Sequence, residues 1–323
     1  MQIMSCRQAI QNALDIEMAR DDKVFIVGED VSRNGCSFGQ FNGLPDKYGD
    51  RRVVNTPLSE AAITGLGMGA AAYGLRPVVN HDFIDFIGCC FDEILNQIAK
   101  LRWMVGGQIT LPLVLNFFAG GGMGAASQHS QSLEVFLTHM PGIKVVAPSN
   151  PADTKGLLAS AIRDDNPVVV IHSRALLGME MDVPEGEHLV PIGEASIARE
   201  GSDVTIVSYS NTLNICLEAA VDLSEEGISA EVIDLRSLLP LDKETIFRSI
   251  EKTNRLVIAH EAVGKSGFGA EVAAVVAEEA IDFLDAPIRR VTSPFTHVPS
   301  TRRLEQAMFP DRVKIAAAVR EIV

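Results

Sequence analysis

Short, nearly continuous apolar runs alternate with longer stretches of helical periodicity along most of the chain. "KVFIVGED", "RRVVN", "RPVVN", "LPLVLNFF", "GIKVVAP" and "NPVVVIH" read as strands. Between them "SEAAITGLGMGAAAYG", "FDEILNQIAKLRWM" and "NPADTKGLLASAIRDD" read as helices, with Gly74 stopping the first. Val/Ile/Leu runs without polar alternation are what strands need when both faces are covered. Strands alternating with helices predict crossover units and mainly parallel sheets. The N-terminal "MQIMSCRQAIQNALDIEMARDD" reads as an amphipathic helix that Ser5 caps.

The rhythm breaks once. "GMEMDVPEGEHLVPIGEASIAREG", about 178 to 201, is polar and holds two prolines and four glycines, so it reads as a linker with a short hairpin. Alternation then resumes. "DVTIVSYS", "SAEVIDL", "NRLVIAHEA" and "PIRRVTS" are strands, and "NTLNICLEAAVDLSEEG" and "GFGAEVAAVVAEEAIDFL" are helices. The expected architecture is α/β, two doubly wound domains with mainly parallel sheets, spanning 1–190 and 191–323.

Composition narrows the partners. The chain has 323 residues, 47% of them hydrophobic and 22% charged, enough for sizeable cores. A net charge of -14 argues against nucleic acid and against an anionic membrane surface, since both need clustered Lys and Arg. No apolar run reaches about 18 residues, so no membrane-spanning helix is expected. The N-terminus lacks the pattern of a signal peptide. The five cysteines show no metal or redox spacing, which suits a reducing, cytoplasmic setting.

Four stretches could carry chemistry. "GGGMGAASQHSQSLE", residues 120 to 134, is not a phosphate loop: no Lys occurs between Lys100 and Lys144. Nor is it a dinucleotide fingerprint, because Ala125 stands where a third glycine is needed. Its glycines shape backbone, and His129 is either a hydrogen-bonded structural histidine or a general acid/base. In "NTPLSEAAITG", Glu60 either interacts with a helix dipole or shares a proton with a ligand. Glu29 and Asp30 follow a buried strand, at the end where open parallel sheets place ligands. Asp164 and Asn166 in "SAIRDDNPVVV" are turn formers or part of a carbonyl site for a monovalent cation. "TRRLE", 301 to 305, reads as a solvated basic patch or a contact for an acidic partner.

Taken in order, "NTPLSEAAITGLGMGAAAYGLRPVV", "DFIDFIGCCFDEILNQIAKLRWMVGG", "QHSQSLE", "PGIKVVAPSNPADTKGLLASAIRDDNPVV", "VIDLRSLLPLDKETI", "HEAVGKSGFGAEVAA" and "RRVTSPFTHVP" resemble one family over essentially the whole chain. It is the beta subunit of the thiamine-diphosphate-dependent decarboxylating component of 2-oxoacid dehydrogenase complexes. Pyruvate, branched-chain and acetoin dehydrogenases share it, and "FIDFIGCCFDEI" points to the acetoin type. The resemblance implies a transketolase-like fold: a pyrimidine-binding domain, then a transketolase C-terminal domain. It also implies an α2β2 heterotetramer and a lipoyl acyltransferase as acyl acceptor. In the family the alpha subunit holds the diphosphate through Mg²⁺ with a GDG motif, and no GDG triplet occurs in this chain.

By position, Glu60 matches the carboxylate that faces the aminopyrimidine nitrogen and promotes cofactor activation. Phe86 matches an aromatic packed on that ring, and Leu58 an apolar wall. Glu29 matches an acid near the buried network between sites. His129 matches a histidine implicated in proton transfer and substrate binding. Leu113, Ala161, Ile162, Asp164 and Asn166 match a structural monovalent-cation site, with K⁺ as the candidate ion. The chain departs from the family at Asn80, His81 and Asp82, where Glu-Ile-Met is common, and at Asn116, where Arg is common. His172 stands where an acid is frequent, and His297, Arg302 and Arg303 replace an apolar, Pro-containing stretch. Asp82 is expected beside the cofactor, and Asn80, His81 and Asn116 are expected to tune the substrate. Two other readings stand beside the oxidative one. One is a two-subunit transketolase or acyloin-forming carboligase without lipoate, and the other a non-catalytic scaffold.

Overall fold

Residues 1–32 and 35–323 are described by the computed structural model. Their contacts divide into two units. One comprises Met1–Ala119 with Phe136–Ile192, the other Gly120–Val135 with Gly193–Val323. The glycine loop 120–135, which the sequence places inside the first domain, therefore packs with the second.

In the first unit the elements are β1 (Gln2–Ser5), α1 (Cys6–Arg20), β2 (Val24–Glu29), α2 (Leu44–Tyr48), β3 (Val53–Thr56), α3 (Glu60–Ala72), β4 (Arg76–His81), α4 (Ala99–Met104) and β5 (Val114–Ala119). After α5 (Glu134–Thr138) come β6 (Lys144–Val146), α6 (Pro151–Arg163), β7 (Val168–Ser173) and β8 (Glu180–Val183). Six strands lie in the order β6-β7-β5-β4-β2-β3, every neighbouring pair parallel. β5 and β7 are buried at every position, as their mainly apolar runs require, with Asn116, His172 and Ser173 as the buried polar exceptions.

Two local expectations change. The N-terminal helix begins at Cys6, because residues 2–5 form β1, paired antiparallel with β8. Ser5 does cap it: Gln8 N–H donates to Ser5 Oγ and Ser5 N–H to Gln8 Oε1, a reciprocal box that satisfies two end donors. The expected hairpin in 178–201 does not form. β8 turns back to β1, while β9 (Ser196–Arg199) pairs with a strand of the second unit. Each strand finds an open edge elsewhere, and no tight turn forces them together. In "FDEILNQIAKLRWM", Glu93–Ile98 is wound as a π-helix, which hydrophobic periodicity does not signal.

A buried carboxylate pins α1 to α6. Glu17 is fully buried and receives Arg163 Nη2 at 2.7 Å and Arg20 Nε at 2.7 Å. Gly67 lets α3 lie close on β4, since a Cβ there would stand 2.3 Å from Val79 Cγ2.

In the second unit β9 is followed by β10 (Val204–Ser208), α7 (Ser210–Glu225), β11 (Ala230–Asp234), β12 (Ser237–Leu239), α8 (Lys243–Thr253), β13 (Leu256–Val263), α9 (Phe268–Glu279), β14 (Arg289–Ser293), α10 (Arg302–Met308) and α11 (Arg312–Arg320). The sheet order is β14-β13-β10-β11-β9, parallel except for β9. Its core joins Val204, Ile206, Leu213, Leu223, Val232, Val257 and Ile315. No helix among the described residues is long and apolar enough to cross a membrane.

Candidate active site

The carboxyl ends of β2, β3 and β4 gather acids. Register pairs Glu29 with Thr56 and Gly28 with Asn80, so the residues that follow these strands emerge at one edge. Glu29 closes β2, Glu60 opens α3, and Asp82 follows β4. Burial first, then the carboxylates of Asp82, Asp30 and Glu60, push the Glu29 carboxyl up from its ordinary value. Leu58 is exposed, whereas Glu60 and Phe86 are half-buried. Phe86 packs edge-on against Phe83 at 6.0 Å, and Phe83 carries the Arg174 guanidinium over its face at 5.1 Å. Thr56 Oγ1 is buried with no hydrogen-bond partner.

Asp82 is held by Asn80 and by three residues that the sequence did not single out. Ser37 Oγ donates to it, as do Cys36 Sγ at 3.1 Å, Gln40 Nε2 at 3.3 Å and Asn80 Nδ2 at 2.8 Å. Burial, then the adjoining Asp82 carboxylate, push the Cys36 thiol up, so it stays protonated and can donate. Nothing in "GCSFGQ" marks these three as ligands of an acid 42 to 46 positions away.

Three positions that the sequence reading expects to differ from the family pattern, Asn80, Asn116 and His172, are in contact. Asn116 donates from Nδ2 to Asn80 Oδ1 at 2.9 Å, and Asn116 Oδ1 lies 2.9 Å from His172 Nε2. All three are buried. His81 Nε2 sits 3.1 Å from Thr64 Oγ1, and its ring stacks on Phe117 at 4.9 Å. Burial pushes His81 down to about 4 and His172 down to about 3, so both rings are neutral near pH 7.

The expected cation residues meet where α6 leads into β7. Several of their oxygens already carry donors. Arg76 Nη1 donates to Ile162 O at 3.0 Å and Asp164 O at 3.1 Å. Val168 N–H donates to Leu113 O at 3.0 Å and Asp164 N–H to Ala161 O at 3.3 Å. Lys144 pairs with Asp164, and Arg102 donates to Asn166 Oδ1. Asp164 is held below its usual range: burial opposes this, and the bonds from Lys144 and Asn166 outweigh it.

His129 belongs to the second unit, through the loop that precedes it. Gly120 has φ +89°, a conformation L side chains rarely adopt, and a Cβ on Gly121 would stand 2.3 Å from the Phe309 ring. The backbone thus approaches two buried or half-buried acids. Gly121 N–H donates to Glu261 at 2.7 Å, and Gly122 and Gly124 N–H each donate to Glu305 at 2.9 Å. The loop's far end is tied by Tyr209 Oη donating to Glu134 at 2.5 Å. Glu305 sits inside "TRRLE", read from sequence as a basic patch. Arg302 and Arg303 are indeed exposed, while Glu305 is buried and is the residue that shapes the loop.

Comparison with known proteins places this arrangement. Residues 2–180 match the transketolase pyrimidine-binding domain and 193–315 the transketolase C-terminal domain. A split-gene transketolase, described as an inactive beta4 tetramer, superposes with a TM-score of 0.81 at 25% identity, covering 99% of this chain and 98% of that one. The two domain matches and the fold define a transketolase-type, thiamine-diphosphate-dependent class.

Whole-chain relatives narrow it. The acetoin:2,6-dichlorophenolindophenol oxidoreductase subunit beta of Cupriavidus necator is 46% identical over 98% of this chain and 97% of its own length. The pyruvate dehydrogenase E1 component subunit beta of Dictyostelium discoideum is 44% identical, covering 99% and 91%. The 2-oxoisovalerate dehydrogenase subunit beta of Bacillus subtilis is 40% identical, covering 100% and 99%. The chain belongs to this family of beta subunits of acetoin and 2-oxoacid dehydrogenase components.

Proposed function

We propose that this chain forms half of a thiamine-diphosphate site, supplying the carboxylate that activates the cofactor while an alpha subunit holds the diphosphate with Mg²⁺. The observation that carries the reading is the acid cluster of Glu29, Glu60 and Asp82 at one sheet edge, where the other acids push the Glu29 carboxyl up. Such residues suit an aminopyrimidine, whose ring nitrogen and amino group can share protons with carboxyls. They do not suit a diphosphate, which three acids would repel. Thiamine diphosphate, when bound, supplies a nucleophilic carbon once its thiazolium proton is removed. Glu60 holds the proton shared with the pyrimidine nitrogen. Phe86 offers its ring face, and Leu58 keeps water off that side once a partner covers it.

A partner has exposed apolar surface to cover. Leu58 is 72% exposed, Tyr73 91% and Trp103 88%, all in the first unit. An α2β2 assembly would bury such side chains. His129 moves a proton on the donor or acceptor side, and the acyl group passes to a lipoyl domain. A structural monovalent cation at 161–166, such as K⁺, would share its oxygens with Arg76.

The test is a calorimetric titration of thiamine diphosphate with Mg²⁺, into the chain alone and into its co-purified mixture with the alpha partner. Binding only in the mixture supports the shared site. Tight binding to the lone chain, or none in either, removes it. A lipoyl domain offered against an aldehyde as acyl acceptor then separates the dehydrogenase from a carboligase.

A further inference from the structure

The first unit contains a cleft of about 340 Å³ that no role above uses. β1 forms one side of it and the start of α2 another. The third side is the face of α1 that carries Gln8, Gln11, Asn12 and Asp15, neighbours at helical spacing.

β1 has a free edge here. It pairs only with β8 among the described strands, and no β8 residue lines the cleft. Cys6 N–H donates to Met179 O at 3.1 Å, in phase with the register of Met4 on Met181 and Gln2 on Val183. Hydrogen-bonded pairs alternate along an antiparallel ladder, so Gln2 and Met4 bond β8 while Ile3 turns its N–H and C=O outward. Such an edge residue matches another extended backbone, which offers a donor and an acceptor at the same spacing.

The lining suits the other edge of such a guest. The amides of Gln2, Gln8, Gln11, Asn12 and Asn42 offer both donors and acceptors, as a peptide backbone requires. Asn12 is half-buried, and its Oδ1 is buried without a hydrogen-bond partner. Rotation of this amide gives a guest N–H an acceptor that nothing in the chain occupies. Of the described lining side chains only Asp15 and Lys47 are charged, and they pair with each other at 2.5 Å, so the cleft is neutral and its guest uncharged. Permanent subunit interfaces are more apolar than this lining, which points to a partner that comes and goes.

We propose that this cleft binds an extended, uncharged peptide segment of a partner protein other than the alpha subunit, as a strand added to β1 at Ile3. The cleft adjoins the loop that holds Asp82. Gln11 Nε2 donates to Gly39 O at 2.7 Å, and Cys36, Ser37 and Gln40 of the same loop donate to Asp82. A bound peptide therefore braces residues 36–42. The site itself does not rest on the thiamine reading.

The test is binding of the capped peptide acetyl-Thr-Val-Thr-Val-amide, by saturation-transfer NMR, to the full chain alone and co-purified with its alpha partner. Ile3→Pro removes the outward N–H and spares the β8 ladder, since proline is tolerated on a strand edge. Asn12→Leu removes the amide whose Oδ1 bonds nothing in the chain. A fully N-methylated peptide probes the wild type without any mutation. The peptide should bind wild type in both preparations. Both variants, and the N-methylated peptide, should bind at least fivefold more weakly. Absence of binding to wild type, undiminished binding by either folded variant, or equal binding of the N-methylated peptide would overturn the proposal. Binding that the alpha subunit abolishes, or a homodimer of the chain that Ile3→Pro dissociates, would also overturn it by naming a different occupant. Hydrogen exchange at 36–42 should slow at least twofold at saturation, and unchanged exchange would remove the link to Asp82.

Discussion

Asn116 donates a 2.9 Å hydrogen bond to Asn80 from the neighbouring parallel strand, and the same Asn116 meets His172 on its other side. Asn80, Asn116 and His172 are therefore one buried, neutral chain that ends on Asp82 through Asn80 Nδ2. Replacing Asn116 by Leu leaves Asn80 Oδ1 and His172 Nε2 without their bond. Each orphaned group costs about 1–3 kcal/mol. We expect a loss of about 2–5 kcal/mol in denaturant unfolding and a change in substrate preference. An unchanged midpoint would show that the three residues do not act together.

Acid should destabilise the fold in a defined window. Burial lowers His81 to about 4, His172 to about 3 and His260 to about 4, with Arg290 also acting on His260. Unfolded histidines titrate near 6.5. Above that pH both states are neutral and the full stability is present. As pH falls from about 6.5 toward 4, the unfolded chain binds protons that the folded one refuses, so stability falls by about 1.4 kcal/mol per pH unit for each histidine. His172→Gln should lower proton uptake on unfolding at pH 5 by close to one. Uptake that matches wild type would mean His172 is already charged in the fold.

Glu305 should control the loop that carries His129. Its two oxygens take the N–H groups of Gly122 and Gly124, and bonds to a charged acceptor are worth about 1.5–3 kcal/mol each. In Glu305→Ala, hydrogen exchange at 120–126 should accelerate, and kcat/KM should fall with the cofactor site intact. Unaltered protection there would show that the loop holds its shape by other means.

The spacing of α3 on β4 gives a paired test. Gly67→Ala puts a Cβ 2.3 Å from Val79 Cγ2 and should cost about 1–3 kcal/mol through overpacking. Gly69→Ala meets nothing within 4 Å and should stabilise the chain by about 0.5–1 kcal/mol through helix propensity. Urea unfolding of both variants decides. Equal effects would mean that the close helix–strand approach is absent in solution.

For the chemistry, Glu60→Gln should abolish turnover while leaving the assembly with the alpha subunit intact by size-exclusion chromatography. His129→Ala should impair acyl transfer more than cofactor affinity. Wild-type activity in the first variant, or weakened cofactor binding with normal saturated turnover in the second, would remove those assignments.

Several devices were legible in the chain itself. The mainly apolar runs at 24–29, 114–119 and 168–173 became interior parallel strands, because a strand covered on both faces is predominantly apolar. Ser5 and Gln8 form their capping box within four residues, so local sequence sufficed. Motif order also carried the family, which residues 2–180 and 193–315 then matched.

Tertiary structure decided what depends on distant partners. Asp82 gains three of its donors from Cys36, Ser37 and Gln40, and Glu305 receives glycine N–H groups about 180 positions earlier. It also assigned 120–135 to the second unit and paired β1 with β8. The physical reason is common to all of these. An unpaired buried carboxylate or an open strand edge is costly, and which group satisfies it depends on how the chain packs, not on its neighbours in sequence.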